Sequence, residues 1–291
     1  MTTEKFAQPQ YLIDTDSVAA ELADANLRVF DCTVFLRPTP DDPFRFEGGR
    51  PEWQRGHLPG SGFLDLDEEL SDRSCPLRFT MPSGEQFAKV MGRHGVGKGV
   101  RVILYSAGHP MWAARIWWML RTFGFENAAV MDGGWEKWVA EGKPVSTEPC
   151  SYPATRFDVN ARSGLAVGKA AVSAAISDSG TQLISALTRK MHAGEGVHYG
   201  RPGRIPGSAC VPALMLIERG AGTFQPPSHL AATFDAAGVR PGQRVITYCG
   251  SGIAAACDAF VLTLLGHDDV AIYDGSLAEW VSDSSLPMET G

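Results

Sequence analysis

Several features that would identify a class of protein are scarce in this sequence of 291 residues. No run of about 18 apolar residues occurs, which argues against a membrane span. Basic residues are in the minority, with 26 Lys and Arg against 33 Asp and Glu and a net charge of −7. Proteins that bind nucleic acid usually have a basic face instead. We therefore expect neither a membrane nor a nucleic acid as a partner.

Cysteine and histidine are sparse as well. Six cysteines are too dilute for a disulfide scaffold. The seven histidines show no HxxxH or HExxH spacing, so we expect neither a metal site nor a cofactor. Residues 1–11 lack the apolar segment of a secretory signal. These absences predict a cytoplasmic protein with reduced thiols.

The sequence does contain an internal repeat. Three pairs of segments occur in the same order with offsets of 142 to 147 residues: 56–61 (GHLPGS) and 203–208 (GRIPGS), 102–106 (VILYS) and 245–249 (VITYC), 132–138 and 274–280 (DG…W). We interpret this self-similarity as a tandem duplication. It predicts two domains, 8–146 and 165–291, joined by an irregular, Pro-containing linker at 147–164.

Each half has the same alternation of apolar strands and helices. In the first half we predict strands at 27–31, 100–105 and 128–131 and helices at 83–92 and 112–123. In the second half we predict strands at 182–185, 244–248 and 270–273 and helices at 227–237 and 254–265. The alternation indicates an α/β fold in which each domain is a parallel sheet flanked by helices. Asp132 and Asp274 each stand between a strand and a helix, so we predict that they cap the helix N-termini.

The candidate nucleophile is Cys249, which directly follows the predicted strand 244–248. In open parallel sheets, ligands bind beyond the carboxyl ends of the strands. Gly250 and Gly252 let the loop curl around an anion, and the start of the next helix adds a positive dipole, which favours a thiolate or a persulfide. The first half has Ser106 at the equivalent position, so we expect only the second half to react.

Two other interpretations of this loop are weaker. Gly250, Gly252 and Ala255 fit a relaxed dinucleotide-binding pattern, but too little chain follows for the rest of such a domain. The first-half loop also has no such pattern. A cysteine phosphatase would need an arginine six positions after its nucleophile, and that position is Ala255.

Taken together, the motifs resemble those of the rhodanese family over about residues 8–287. The paired GxΦPG turns (Φ, apolar), the DGGW segment and the loop 249–254 (CGSGIA) carry the resemblance, because 3-mercaptopyruvate sulfurtransferases usually have CGSGVT there. The resemblance implies two tandem rhodanese-like domains, of which the first is inactive. It also implies sulfane-sulfur transfer through a Cys249 persulfide. The neutral loop favours mercaptopyruvate as the donor over the dianion thiosulfate.

The resemblance further assigns partners and roles. The acceptor would be cyanide or a thiol, such as thioredoxin or a low-molecular-weight thiol. The loop residues after the nucleophile would bind the substrate: Gly250, Ser251, Gly252, Ile253 and Ala254. Ser251 would join Asp67 and a histidine in a proton relay. That histidine is missing, because Phe79 and Thr80 stand near its place.

The arginines that bind substrate in the family are also absent from their usual positions in this sequence. The first strand of a typical second domain ends in Asp-x-Arg, whereas residues 185–187 here are Ser-Ala-Leu. Arg189 and Arg201 are the nearest candidates for a bidentate contact with the donor's carboxylate. The departures leave open an alternative of another class, a non-enzymatic persulfide carrier or rhodanese-like binding module.

Overall fold

The computed structural model describes residues 4–41 and 45–291. In chain order, the elements are β1 (Leu12–Ile13), α1 (Thr15–Glu21), β2 (Leu27–Asp31), β3 (Val34–Leu36), β4 (Phe46–Gly48), α2 (Arg50–Arg55), β5 (Gly62–Phe63), α3 (Gly84–Arg93), β6 (Arg101–Tyr105), α4 (Met111–Thr122), β7 (Ala128–Met131), α5 (Gly134–Ala140), β8 (Ala166–Val167), α6 (Lys169–Ala175), β9 (Thr181–Ser185), α7 (Arg189–Ala193), β10 (Ala209–Cys210), α8 (Pro227–Ala236), β11 (Arg244–Tyr248), α9 (Ile253–Leu264), β12 (Val270–Tyr273) and α10 (Ser276–Trp280). Short 3-10 helices lie at Pro9–Tyr11 and Ala213–Met215.

The strands form two parallel sheets of five strands and one antiparallel hairpin. The first sheet has the order β1-β7-β6-β2-β5, the second has the order β10-β9-β11-β12-β8, and β3 pairs with β4. The two five-stranded orders are the same when each strand is replaced by its equivalent in the other half. The tandem duplication is thus present in the topology, and the predicted parallel α/β architecture is confirmed.

Helices α4 and α9 join the two halves. Nearly every residue of both helices is buried, as expected for helices that are apolar on all sides. The Trp117 ring of α4 meets the Phe260 ring of α9 edge-on, with 4.8 Å between ring centroids. One continuous hydrophobic core therefore extends across both domains. Among the described residues, no helix has the length and apolar character needed to cross a membrane.

Two equivalent aspartates connect the domains through hydrogen bonds. The Asp132 carboxylate accepts a hydrogen bond from the Phe224 amide at 2.9 Å, and the Asp274 carboxylate accepts one from the Met81 amide at 2.8 Å. The prediction that these aspartates cap helices was wrong, since glycines occupy both N-cap positions. Each aspartate lies one residue earlier and satisfies a backbone amide of the other domain instead.

Candidate active site

Cys249 lines a cavity of about 210 Å³ to which both domains contribute. It follows β11 at the carboxyl end of the sheet, and 3% of its surface is exposed. From the first domain the cavity is lined by Leu36, Phe46, Met111 and Trp112. From the second it is lined by Ala186, Leu187, Thr188, Met191, Tyr199, Pro212, Ala213, Leu214, Cys249, Gly250, Ser251, Ile253 and Ala254. Most of these side chains are apolar.

The loop that carries Cys249 is held by its carbonyl groups. The carbonyls of Cys249 and Gly250 accept hydrogen bonds at 3.0 Å from the amides of Leu277 and Ala278, at the start of α10. The Cys249 amide donates to the hydroxyl of Ser276 at 3.1 Å. These contacts fix the loop against the neighbouring helix.

The amides of the same loop are left available. Within the described ranges, those of Gly250, Ser251 and Gly252 donate to no protein acceptor. Gly252 has a φ of +79° and forms the N-cap of α9, so the chain enters the helix directly from the loop. Unpaired amides at a helix N-terminus stabilise anions. The arrangement can therefore hold a thiolate, or the outer sulfur of a persulfide.

Tyr199 packs directly on this loop. A Cβ atom at Gly250 would overlap the Tyr199 phenol, so only glycine allows the two to approach this closely. Burial raises the pKa of the Tyr199 phenol, and the neighbouring Cys249 raises it further. The phenol thus keeps its proton beside the nucleophile. Nothing in the sequence pattern pointed to Tyr199, which lies in an irregular segment fifty positions before Cys249.

Substitution of Gly250 by alanine tests this contact. We expect kcat/KM for the sulfur transfer that the sequence predicts to fall by about 100-fold, because the new methyl group must displace either Tyr199 or the loop that orients Cys249. Steady-state kinetics would measure the loss. The control is Gly168→Ala, since a Cβ atom at Gly168 meets no atom within 4 Å. Equal activity of both variants would show that the Tyr199 contact does not position Cys249.

The structure brings some of the predicted site residues together and leaves others apart. Ser251 lines the cavity with Cys249, and so do three other predicted loop residues: Gly250, Ile253 and Ala254. Gly252 shapes the loop without lining the cavity. Asp67 is partly buried in a turn after β5 and is not among the lining residues.

Arg189 and Arg201 do not reach the cavity wall. The guanidinium of Arg201 donates to the carbonyls of Leu286 at 2.9 Å and Asp283 at 3.3 Å, which fixes it to the C-terminal segment. Arg189 lies 4.0 Å from the sulfur of Met215.

An aromatic cluster occupies the region where the relay histidine was expected. Phe79 is buried, with a φ of +60°, and its ring packs edge-on against Phe46 and Trp112 at centroid distances of 5.1 and 5.8 Å. Its carbonyl accepts a hydrogen bond from Arg115 at 2.7 Å. The first domain thus presents apolar rings to the cavity, with no titratable group at this position.

Comparisons with known proteins identify the family to which the chain is similar. The family model described as "Rhodanese-like domain" matches residues 14–141 and 172–283. The 3-mercaptopyruvate sulfurtransferase of Escherichia coli (strain K12) is 30% identical over 283 residues, which cover 96% of this chain and 98% of that protein. The thiosulfate sulfurtransferase of Cricetulus griseus is 30% identical over 281 residues, 94% of this chain and 91% of that one. The crystal structure of SseA from Escherichia coli superposes with a TM-score of 0.78 at 29% identity, covering 91% of this chain and 98% of SseA.

Proposed function

The chain belongs to the rhodanese family and is a sulfurtransferase of the 3-mercaptopyruvate and thiosulfate type, and from this premise we propose that Cys249 carries the transferred sulfur as a persulfide. The observation that supports the proposal best is the position of Cys249. It lines the interdomain cavity at the carboxyl end of β11, next to a loop whose backbone amides are unpaired. The equivalent position in the first domain, Ser106, has no thiol.

The reaction proceeds in two half-reactions. The Cys249 thiolate attacks the sulfur of the donor, and the bond between that sulfur and the rest of the donor breaks. The electron pair stays on the leaving group, pyruvate enolate from mercaptopyruvate, which then takes up a proton. An acceptor thiolate or cyanide attacks the outer sulfur of the persulfide. The bond to Cys249 Sγ breaks, and the enzyme thiolate is regenerated.

Mercaptopyruvate is the donor that the cavity favours over thiosulfate. No Lys or Arg side chain is among the described residues that line the cavity, so the loop amides are the main groups there that can stabilise an anion. A donor with one carboxylate loses less hydration there than a dianion does. The acceptor is thioredoxin, a low-molecular-weight thiol or cyanide, and a reducing compartment such as the cytoplasm would keep Cys249 reactive.

Mass spectrometry tests the persulfide directly. After incubation with mercaptopyruvate, the peptide that contains Cys249 should gain about 32 Da, the mass of one sulfur atom, and lose it again on treatment with a thiol. The same incubation with Cys249→Ser should leave every peptide unchanged. If mercaptopyruvate and thiosulfate both fail to add sulfur to Cys249, the proposed function is wrong. A persulfide that forms stoichiometrically but never turns over would favour the carrier alternative.

A further inference from the structure

The cavity around Cys249 is unusual for a site that handles small anions, because none of its described lining residues is charged. Its polar side chains are Thr188, Tyr199, Ser251 and the nucleophile itself. Residues 1–3 and 42–44, outside the described ranges, include no Lys or Arg in the sequence. A charged ligand would therefore lose its hydration without gaining a salt bridge to the cavity wall.

The cations near the cavity are held by other groups or lie outside the lining. Arg115 bonds to Asp274 at 2.5 Å, and Arg37 bonds to Glu52 at 2.8 Å. Arg78 is exposed, and its guanidinium lies 5.7 Å from the centre of the Phe46 ring without lining the cavity. Arg189 and Arg201 have the separate contacts described above. None of these five arginines is among the described residues that line the cavity, and the one buried beneath the loop, Arg115, is paired with Asp274.

The walls instead provide apolar contact on both sides. The rings of Phe46 and Trp112 in the first domain pack edge to face, with 5.9 Å between their centroids. Leu187 and Met191 of the second domain line the same cavity. A volume of about 210 Å³ has room for a ligand body larger than the sulfur atom in transfer. Leu187 stands where the family pattern has an arginine, so the position that would have bound a carboxylate now adds to the apolar surface.

From this lining we propose that the acceptor in the second half-reaction is an uncharged thiol with an apolar alkyl or aryl body. This inference rests on the proposed function. The acceptor thiol gives its proton to solvent, its thiolate attacks the outer sulfur of the Cys249 persulfide, and the Sγ–S bond breaks with its electron pair going to Sγ. The products are the Cys249 thiolate and an organic persulfide. The transferred sulfur keeps its oxidation state in this exchange, so no oxidant or reductant is needed.

A series of acceptor thiols tests the proposal. The persulfide is formed with saturating mercaptopyruvate, and kcat/KM is measured for benzyl mercaptan, 2-mercaptoethanol, 3-mercaptopropionate and cysteamine. In a ping-pong reaction this quantity reports the acceptor half-reaction alone. Each value is divided by the rate of the same thiol with a free low-molecular-weight persulfide, which removes differences in nucleophilicity. We expect benzyl mercaptan to exceed 3-mercaptopropionate and cysteamine by at least about tenfold.

Charge placed in the cavity should change this preference. Leu187→Arg is expected to lower the ratio of benzyl mercaptan to 3-mercaptopropionate by about tenfold or more. Leu187 is buried, so Met191→Arg serves as a second variant at a partly exposed lining position. The matched control is Val197→Arg, which adds the same charge at a residue that is 64% exposed and outside the cavity lining.

The outcomes separate this proposal from the function on which it rests. If Cys249 takes up no sulfur, the proposed function fails and the acceptor proposal fails with it. If Cys249 takes up sulfur but 3-mercaptopropionate or cysteamine equals or exceeds benzyl mercaptan, the acceptor proposal alone is overturned. It is also overturned if Val197→Arg changes the ratio as much as the variants with arginine in the cavity do.

Discussion

Replacing Cys249 by serine is expected to lower sulfur-transfer kcat/KM by at least about 1,000-fold, because a serine hydroxyl cannot form the persulfide on which both half-reactions depend. The side chains are nearly equal in size, so the loop contacts to α10 and the apolar cavity should remain. Steady-state kinetics with mercaptopyruvate and a thiol acceptor would measure the loss. A circular dichroism spectrum would confirm that the variant is folded.

Four of the other cysteines are poor substitutes for Cys249. Cys32 and Cys257 are fully buried, and burial raises the pKa of each thiol well above its usual value. Burial raises the pKa of Cys210 to about 11 and also raises that of Cys150. A thiol with a pKa near 11 has only about 0.1% thiolate at pH 8. These four side chains should therefore contribute little residual activity in the serine variant.

Matched serine variants at other cysteines provide the control. We expect Cys150→Ser and Cys257→Ser to keep kcat/KM within about threefold of the native chain, since neither thiol lines the Cys249 cavity. Activity of Cys249→Ser above one tenth of the native value would contradict the assignment of the nucleophile. Loss of activity in Cys150→Ser would place the transferred sulfur in the linker instead.

The equivalent loop of the first domain shows why Ser106→Cys should not restore activity to Cys249→Ser. The Ser106 hydroxyl donates to the carbonyl of His109 at 2.9 Å, so this loop turns back on itself. Burial lowers the pKa of His109 to about 4, and the ring is neutral near pH 7. A cysteine at position 106 would gain no positive neighbour from His109, and we expect no measurable turnover from it.

Much of this organisation was predictable from the sequence because it depends on local patterns. Alternating apolar strands and helices predicted the parallel sheets, and the offset of the repeated segments predicted the duplication. Cys249 could be singled out because a strand, a glycine loop and a helix follow one another directly in the sequence. The predicted strands 128–131, 244–248 and 270–273 coincide with β7, β11 and β12.

The remaining features depend on contacts between segments that are distant in the sequence. Tyr199 could not be predicted, because the space that it fills exists only where Gly250 lacks a side chain. Asp132 looked like a helix cap, yet its carboxylate reaches Phe224 in the other domain. Arg201 was predicted as a substrate ligand from its position, and nothing in the sequence indicated that it contacts carbonyls more than 80 residues later. The spacing of residues along the sequence does not indicate which distant segments contact each other.

The second large expected effect is a loss of stability on replacing Arg115, a completely buried arginine of the first domain that lies against the loop containing Cys249 in the second. Its guanidinium donates to the Asp274 carboxylate at 2.5 Å and to the Phe79 carbonyl at 2.7 Å. A Cβ atom at Gly252 would lie 3.2 Å from Arg115 Nη1. A cation from the first domain is therefore placed directly against the loop that contains Cys249.

Replacing Arg115 by methionine is expected to lower the free energy of unfolding by about 3 kcal/mol, because it leaves the Asp274 carboxylate without its cation at a site where 16% of that side chain is exposed. Urea denaturation followed by tryptophan fluorescence would measure the change. The control is Arg244→Met, which breaks the ion pair to Asp269 between side chains that are 33% and 55% exposed. That exposed pair should contribute at most about 1 kcal/mol.

The size of the Arg115 effect distinguishes an interdomain ion pair from simple packing. The methionine side chain fills much of the volume of the arginine stem, so the expected loss arises mainly from the unpaired carboxylate. Arg115→Met with Asp274→Asn should then be less destabilised than the sum of the two single variants, by at least about 1 kcal/mol. Additive losses, or a loss no greater than that of Arg244→Met, would mean that this ion pair does not stabilise the contact between the first domain and the loop that contains Cys249.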